Sequence, residues 1–334
     1  MKKIGILYGM EYEFPEKLVS EISNKKPAGV RAELITTGAI NISQPTEYSV
    51  ILDRVSHEVP FYRSYLKHSV LNGAKVINNP FWNAFDNNFF QNSMALKTGL
   101  NVPRTVVLPT KEHPYGTSSD TMRNLIFPLN WDEVFEYIGF PAIIRPNKEH
   151  AGRSEFIVYN TEEFFAAYDL TGSIVMILQE YIDFDRNYFC YTIGSKNVKV
   201  MNYDPRKPYH LRFPNLPGHI DPELEVKLEK ICLDVSKTLG LEFNAVEIGI
   251  KDNTAYIKDF YNPAPNSDSK YIKEDNFNWL IERTAEFLIE EALKPRDKIK
   301  KYSPEGLLFS FEKKVSSKAG SSSGKKIAAK SKKP

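Results

Sequence analysis

Short apolar runs alternate with helically spaced segments over residues 1 to 80. "KIGILYG" reads as a buried first strand, and "FPEKLVSEIS" has helical spacing with Pro15 near its start, where proline is tolerated. "AELITTGAINI" and "YSVILDRV" predict two further strands. "PFYRSYLKHSVLNGAKVINNP" predicts a helix, a stop at Gly73 and a strand. Strand–helix alternation of this kind predicts a small parallel sheet. "GILYGME" lacks G-x-G-x-x-G spacing, which argues against a dinucleotide site there.

The pattern then changes. "NNFFQNSMALKTGL" predicts a helix ending at Gly99, and "VPRTVVLP" leads out of it as a strand. "WDEVFEYIGF" is a helix and "PAIIRPN" a short strand, followed by the polar loop "KEHAGRS" and the strand "EFIVY". Thr161 is placed to cap the helix "EEFFAAYDL". "SIVMILQEYI" is a strand that is apolar except at its end. "YFCYTIG" and "VKVMNYD" pair around "SKN". A long helix over 222–239 carries Leu224, Leu228, Ile231, Val235 and Leu239 near helical spacing, and "FNWLIERTAEFLIEEAL" closes the fold as an amphipathic helix.

Composition narrows the picture. A chain of 334 residues with 42% apolar content can bury a sizeable core and allows two or three compact parts. Cys190 and Cys232 show no disulfide or metal spacing, which fits a reducing cytoplasm. The N-terminal apolar run is too short for a signal peptide, and no apolar run approaches the ~18 residues of a membrane span. The formal charge of +2 hides an asymmetry: residues 313–334 hold eight lysines and no acid, which leaves the rest at −6. That tail is Ser-, Ala-, Gly- and Lys-rich and reads as disordered. It serves solubility or a weak electrostatic contact with nucleic acid, membrane or an acidic partner.

The candidate chemistry gathers in the last hairpin. Glu247 stands in "NAVEIGI", and Asp259 and Asn262 in "YIKDFYNPAP", with the polar turn Lys251 to Thr254 between them. A three-residue turn puts Glu247 opposite Asp259, whereas a two-residue turn puts it opposite Lys258. Facing carboxylates repel, and a divalent cation relieves that cost. Two solvated charges on an exposed hairpin are the alternative. Upstream lie a basic strand end at Arg145, a glycine-containing loop, and a hinge of Gln179, Glu180, Tyr181, Ile182 and Asp183. This order suits a nucleotide cleft in which hinge backbone reads adenine and a hinge acid takes the ribose.

Seven segments carry a family resemblance: "VINNPFW", "GLNVPRTVVLP", "GFPAIIRPN", "EEFFAAYD", "ILQEYIDFD", "NYDPRKPYH" and "AVEIGI…KDFYNPAP". In that order, over residues 50 to 290, the chain resembles the ATP-grasp superfamily of glutathione synthetases, D-alanine–D-alanine ligases, synapsin and the ribosomal-protein glutamate ligase. The resemblance implies an α/β and α+β fold: an N-terminal α/β domain (1–103), a lid subdomain (104–182), a C-terminal α+β subdomain (183–311), and the tail (312–334). It implies ATP and Mg2+ as cofactors, with Glu247, Asp259 and Asn262 on the metal and Glu180 to Asp183 at the adenine and ribose. Arg212 is then placed at phosphate or acylphosphate, with Arg206 a weaker candidate. The implied reaction joins a carboxylate, small or on a peptide, to an amine through an acylphosphate. Dimers are common among such relatives.

The departures are equally specific. Asn87 and Asn88 stand where a phosphate-binding lysine is usual, and Arg145 stands at the second lysine position. The loop "NKEHAGRS" has one glycine, Gly152, with Glu149 and Glu155 near it. Phe189 replaces a common arginine, with Arg186 three residues earlier. Arg54, ending "VILDR", is either a substrate carboxylate anchor or a strand-end charge. Three functions follow: an active ligase, a degenerate ATP-grasp module that binds nucleotide or a protein partner, and a nucleic-acid binder acting through the tail.

Overall fold

Four short strands with apolar cores open the fold: β1 (Lys2–Leu7), β2 (Val30–Leu34), β3 (Val50–Asp53) and β4 (Lys75–Ile77). They run parallel in the order β2-β1-β3-β4. Parallel neighbours need crossover connections, and α1 (Glu13–Asn24) and α2 (Pro60–Leu71) provide two. The strand expected over "AELITTGAINI" stops at Leu34. Its only partner β1 ends at Leu7, and the last ladder bond runs from the Ile35 amide to the Ile6 carbonyl at 2.9 Å.

This is a computed structural model, and it describes residues 1–81, 87–148, 155–214 and 218–295. The Lys-rich tail, and the loop residues Glu149 and Gly152, lie outside the described residues. Met1–Lys294 form one compact unit.

The middle sheet is antiparallel. β5 (Thr105–Leu108), β6 (Ala142–Pro146), β7 (Phe156–Val158) and β8 (Met176–Glu180) take the order β5-β8-β6-β7. Helix α3 (Asn88–Lys97) precedes it, and α4 (Trp131–Ile138) and α5 (Thr161–Asp169) cover it. The cap of α5 is Asn160 rather than the expected Thr161. Asn160 is extended and accepts from the Glu163 amide at 2.8 Å, whereas Thr161 already has helical backbone. Trp131, Phe135, Phe164 and Tyr168 pack ring to ring here, so this sheet owns its core.

The last sheet holds β9 (Arg186–Ile193), β10 (Asn197–Asn202), β11 (Phe243–Lys251) and β12 (Thr254–Asn262) in the antiparallel order β10-β9-β11-β12. Helix α6 (Pro222–Leu239) matches the expected span and packs on β9 and β10, with Asp221 capping its start. Cys190 and Cys232 meet across this interface as buried free thiols. The bond with Cys232 and then burial hold the Cys190 thiol well above its usual range, so it is an inert packing group. After the short α7 (Ser269–Ile272), α8 (Glu274–Leu293) returns to pack on α1 and β1. One core therefore joins Ile4, Phe14 and Leu18 to Phe189, Tyr191 and Phe243, and to Phe277, Leu280 and Leu288 of α8. The first and third sheets share this core. Among the described residues, no helix is long and apolar enough to cross a membrane.

Two polar groups sew those sheets together. Asn78, just past β4, donates to the Phe243 carbonyl at 2.6 Å and accepts from the Glu242 and Phe243 amides at 2.7 and 3.0 Å. Arg54, just past β3, is not a free anchor: its side chain is 2% exposed. It holds Glu11 bidentately at 2.8 and 2.7 Å, and donates to the Pro265 carbonyl at 2.7 Å and to Ser267 at 3.2 Å. The guanidinium also lies 5.0 and 5.1 Å from the ring centres of Phe14 and Phe243. Glu11→Ala leaves a buried, uncompensated cation. It is expected to cost about 3 kcal/mol of stability, read as a lower urea midpoint. An unchanged midpoint would show that Arg54 does not depend on its carboxylate.

Candidate functional site

The hairpin closes with Asp252 and Asn253, both at positive φ (47° and 59°), and Lys251 pairs with Thr254. This is a two-residue turn of the kind that suits strand twist. In a regular ladder it would set Glu247 against Lys258. The structure instead pairs Ile248 with Ile257 and Glu247 with Asp259. Lys258 is therefore an extra residue, a β-bulge. Turn length alone does not decide the register here, because the bulge adds the step that a longer turn would have supplied.

A second shift follows, with Ala245 opposite Asn262. Three residues apart on a regular strand, Asp259 and Asn262 would face opposite sides. The shift lets three steps on β12 match two on β11, so Asn262 sits at a register position on the face of Glu247. Buried Asn244 stabilises this irregularity. Its amide donates to the Phe260 carbonyl at 2.7 Å and accepts from the Asn262 amide at 2.8 Å.

Glu247 thus has Asp259 on one flank and Phe189 on the other. Phe189 is buried among the rings of Tyr191, Tyr203 and Phe213. Arg186 does not replace the missing arginine, since strand alternation puts it on the opposite face beside Tyr188. The Lys258 ammonium lies 3.5 Å from the Glu247 carboxylate. Burial, and then the Glu247 charge, push the Tyr203 hydroxyl well above its usual range. Arg212 donates to that hydroxyl at 3.2 Å and lies 5.7 Å from the ring centre of Tyr209.

A cavity of about 570 Å³ brings most of the expected residues together. Arg145, Gln179, Glu180, Tyr181, Ile182 and Asp183 line it from the middle sheet and hinge. Arg212, Glu247 and Asp259 line it from the last sheet, joined by Arg206 and Lys258. Asn262 does not line it. It faces a neighbouring cavity of about 280 Å³, and Asp259 belongs to the walls of both.

Individual side chains are already engaged. Arg104 holds the Glu180 carboxylate in a fork at 3.1 and 3.0 Å, and that bond raises the arginine's own pKa. Gln179 donates to Thr105 at 3.0 Å, and the Tyr181 amide bonds the Pro141 carbonyl at 3.2 Å. Asp183 is the exposed acid of the hinge, 3.9 Å from Arg206. Arg145 sits 3.4 Å from Glu155. Asn87 caps α3 by accepting from the Phe90 amide at 2.8 Å. Asn88 donates to the Pro146 carbonyl at 3.1 Å, which ties that helix to the end of β6. Both asparagines therefore carry structural roles where a phosphate-binding lysine was expected.

The donor set suits a hard divalent ion: two carboxylates on paired strands and an amide, with an ammonium standing in for the cation at Glu247. Among the described residues there is no cluster of three or more His, Cys, Asp or Glu side chains. Sequence reasoning missed Asn244, whose only signal is an amide inside a strand, where such residues are uncommon. It also missed the Arg104–Glu180 pair, which joins residues far apart in the chain.

No protein-family model and no curated protein sequence matches the chain. Solved structures do. A RimK-domain ATP-grasp protein from Sphaerobacter thermophilus aligns with TM-score 0.61 at 13% identity, covering 87% of this chain and 100% of that one. A D-alanine–D-alanine ligase from Bacillus anthracis, complexed with ATP, gives 0.60 at 16%, covering 87% and 97%. The ATP-grasp ligase PsnB, complexed with a minimal precursor, Mg and ADP, gives 0.59 at 12%, covering 86% and 97%. The chain has the ATP-grasp fold.

Asn244→Leu keeps the volume but leaves the Phe260 carbonyl and the Asn262 amide without their partner, at a cost on the order of 2 kcal/mol. Amide exchange at Asn262 should accelerate with the loss. Unchanged exchange would mean that the bulge is held by something else.

Proposed function

We propose that the protein is an ATP- and magnesium-dependent ligase that joins a carboxylate to an amine. The observation that carries this reading is the pairing of Glu247 with Asp259 where the two cavities meet. A cavity of about 570 Å³ is of nucleotide-binding size, and its smaller neighbour fits a compact carboxylate substrate. In this reading Glu247, Asp259 and Asn262 hold the metal. Bound magnesium supplies charge neutralisation on the phosphates. Arg145 and Arg212 contact phosphate oxygens, Asp183 takes the ribose hydroxyls, and the hinge backbone reads the adenine edge.

Arg63 lines the smaller cavity and donates to the Ser56 and His57 carbonyls at 3.2 and 3.4 Å. Asp53, in the same wall, is satisfied by the Val55 and Ser56 amides at 3.1 and 2.9 Å and by the Ser56 hydroxyl. Lys148 lines the same cavity, and in this reading Arg63 orients the carboxylate, in the role considered for Arg54. Solved ATP-grasp ligases support the reading, one complexed with ATP and another with Mg and ADP.

A second reading, a nucleotide-binding module without turnover, draws on the Arg145–Glu155 pair and the structural use of Asn87 and Asn88.

Calorimetric titration with MgATP is expected to give micromolar binding, weakened at least about tenfold in Glu247→Ala. No binding by the wild-type protein would sink both readings. ADP release that depends on an added carboxylate and amine favours the ligase. MgATP binding with no turnover across both substrate classes favours the module. Arg63→Gln is expected to raise KM for the carboxylate about tenfold or more with little change in kcat, as loss of uniform binding does. A fall in kcat alone would remove Arg63 from substrate binding.

A further inference from the structure

Lysine is absent at positions 87 and 88, but one stands on the cavity floor at position 258. With Asp259 set opposite Glu247, simple alternation along β12 would turn Lys258 away from the cavity. The bulge cancels that alternation, and Lys258 and Asp259 both line the 570 Å³ cavity. Three further contacts fix the lysine there. Its ammonium is 3.4 Å from the Asn187 Oδ1 and 3.5 Å from the Glu247 carboxylate, and it lies 5.7 Å from the centre of the Phe184 ring. Phe184 can occupy that place only because residue 249 is glycine. A Cβ on Gly249 would come within 2.4 Å of the ring. A bulge, a glycine and an amide side chain thus combine to present one ammonium to the cavity.

That ammonium is held by exchangeable contacts. The separations from Glu247 and Asn187 are long for charge-assisted bonds, and the lysine side chain remains 23% exposed. The four-carbon stem allows the ammonium to turn without movement of the strand. Lys258 must leave Glu247 if that carboxylate is to hold a metal ion, since the two cations would compete for the same oxygens. The cavity around it already offers Arg145 and Arg212.

We infer that Lys258 is the phosphate-binding lysine of this protein, paired with Glu247 in the nucleotide-free state and turned to a phosphate oxygen when MgATP is bound. The inference rests on the reading of the cavity as a MgATP site. It places the lysine on the sheet that carries the metal ligands, while positions 87 and 88 hold asparagines with structural roles.

The test is calorimetry on the full chain with Lys258→Met and Lys258→Arg, using MgCl2 alone, MgATP and AMP as probes, with thermal melts to establish folding. Expected for Lys258→Met are tighter Mg2+ binding in the absence of nucleotide, MgATP affinity lower by about tenfold or more, and AMP affinity unchanged. Lys258→Arg should restore part of the MgATP affinity. If Lys258→Met binds MgATP as well as or better than the wild type, the lysine is only a competitor for Glu247, and the inference fails while the nucleotide site stands. If neither protein binds MgATP, the inference fails together with the proposed function. Should the Met variant not fold, Lys258→Arg and Lys258→Gln decide between these outcomes by the same titrations.

Discussion

Everything that meets at the two cavities depends on one buried cation. Taking a guanidinium out of water is costly, and Arg54 offsets that cost with a carboxylate fork, a carbonyl, a hydroxyl and two aromatic faces. Those partners come from the loop after β1, helix α1, strand β11 and the loop after β12. Arg54 therefore fixes the N-terminal sheet against the segment that runs on from Asn262. A hydrophobic residue of similar size would fill the space, but it would not dictate where Glu11 and the Pro265 carbonyl must sit. The value of the group lies in register between subdomains, which is the best-supported use of buried charge. Asn78 repeats the device at the next strand end.

Within that frame the working geometry comes from irregularity. A regular β11–β12 ladder behind this turn would oppose Glu247 to Lys258 and Phe243 to Asn262, and send Asp259 to the far face. Two register shifts bring two carboxylates, an amide and an ammonium to one side of the sheet. The cost is a break in backbone pairing, which Asn244 recovers with both ends of its amide. It also includes repulsion between Glu247 and Asp259, which the Lys258 ammonium partly relieves. A fold with no other demand on this strand would have little reason to carry two bulges and a buried amide, and bulges of this kind gather beside active sites.

Periodicity was enough to locate most elements. The spans of α6 and α8, the parallel first sheet and the hairpin itself are legible because each has a long run with one period and a clear stop. The cap at Asn160 was misjudged by one residue, since two adjacent side chains could both cap and only backbone angles separate them. The register was not legible, because a bulge leaves no local mark beyond the residues it displaces. Arg54 was ambiguous for a different reason: its partners lie at residue 11 and beyond residue 260, and no local pattern reports contacts at such separation. The hinge residues read as a group, yet the engagement of Glu180 by Arg104 belongs to tertiary structure alone.

The cations in the larger cavity bear on whether its phosphate side is disabled. Arg145 pairs at 3.4 Å with a Glu155 side chain that is 55% exposed, and the exposed Arg206 pairs with Asp204 at 3.1 Å and lies 3.9 Å from Asp183. Exposed pairs at such separations are worth little, commonly under about 1 kcal/mol. A polyphosphate brings more charge into the same space and would compete with them at small cost. Arg212 is held by the Tyr203 and Tyr271 hydroxyls and the Lys207 carbonyl, all uncharged groups, and Lys258 is held by long contacts. None of these cations is committed to the fold in the way Arg54 is. The absence of lysine at positions 87, 88 and 145 thus leaves exchangeable positive charge in the cavity. Under the proposed function, that charge is what a phosphate group entering the cavity would meet.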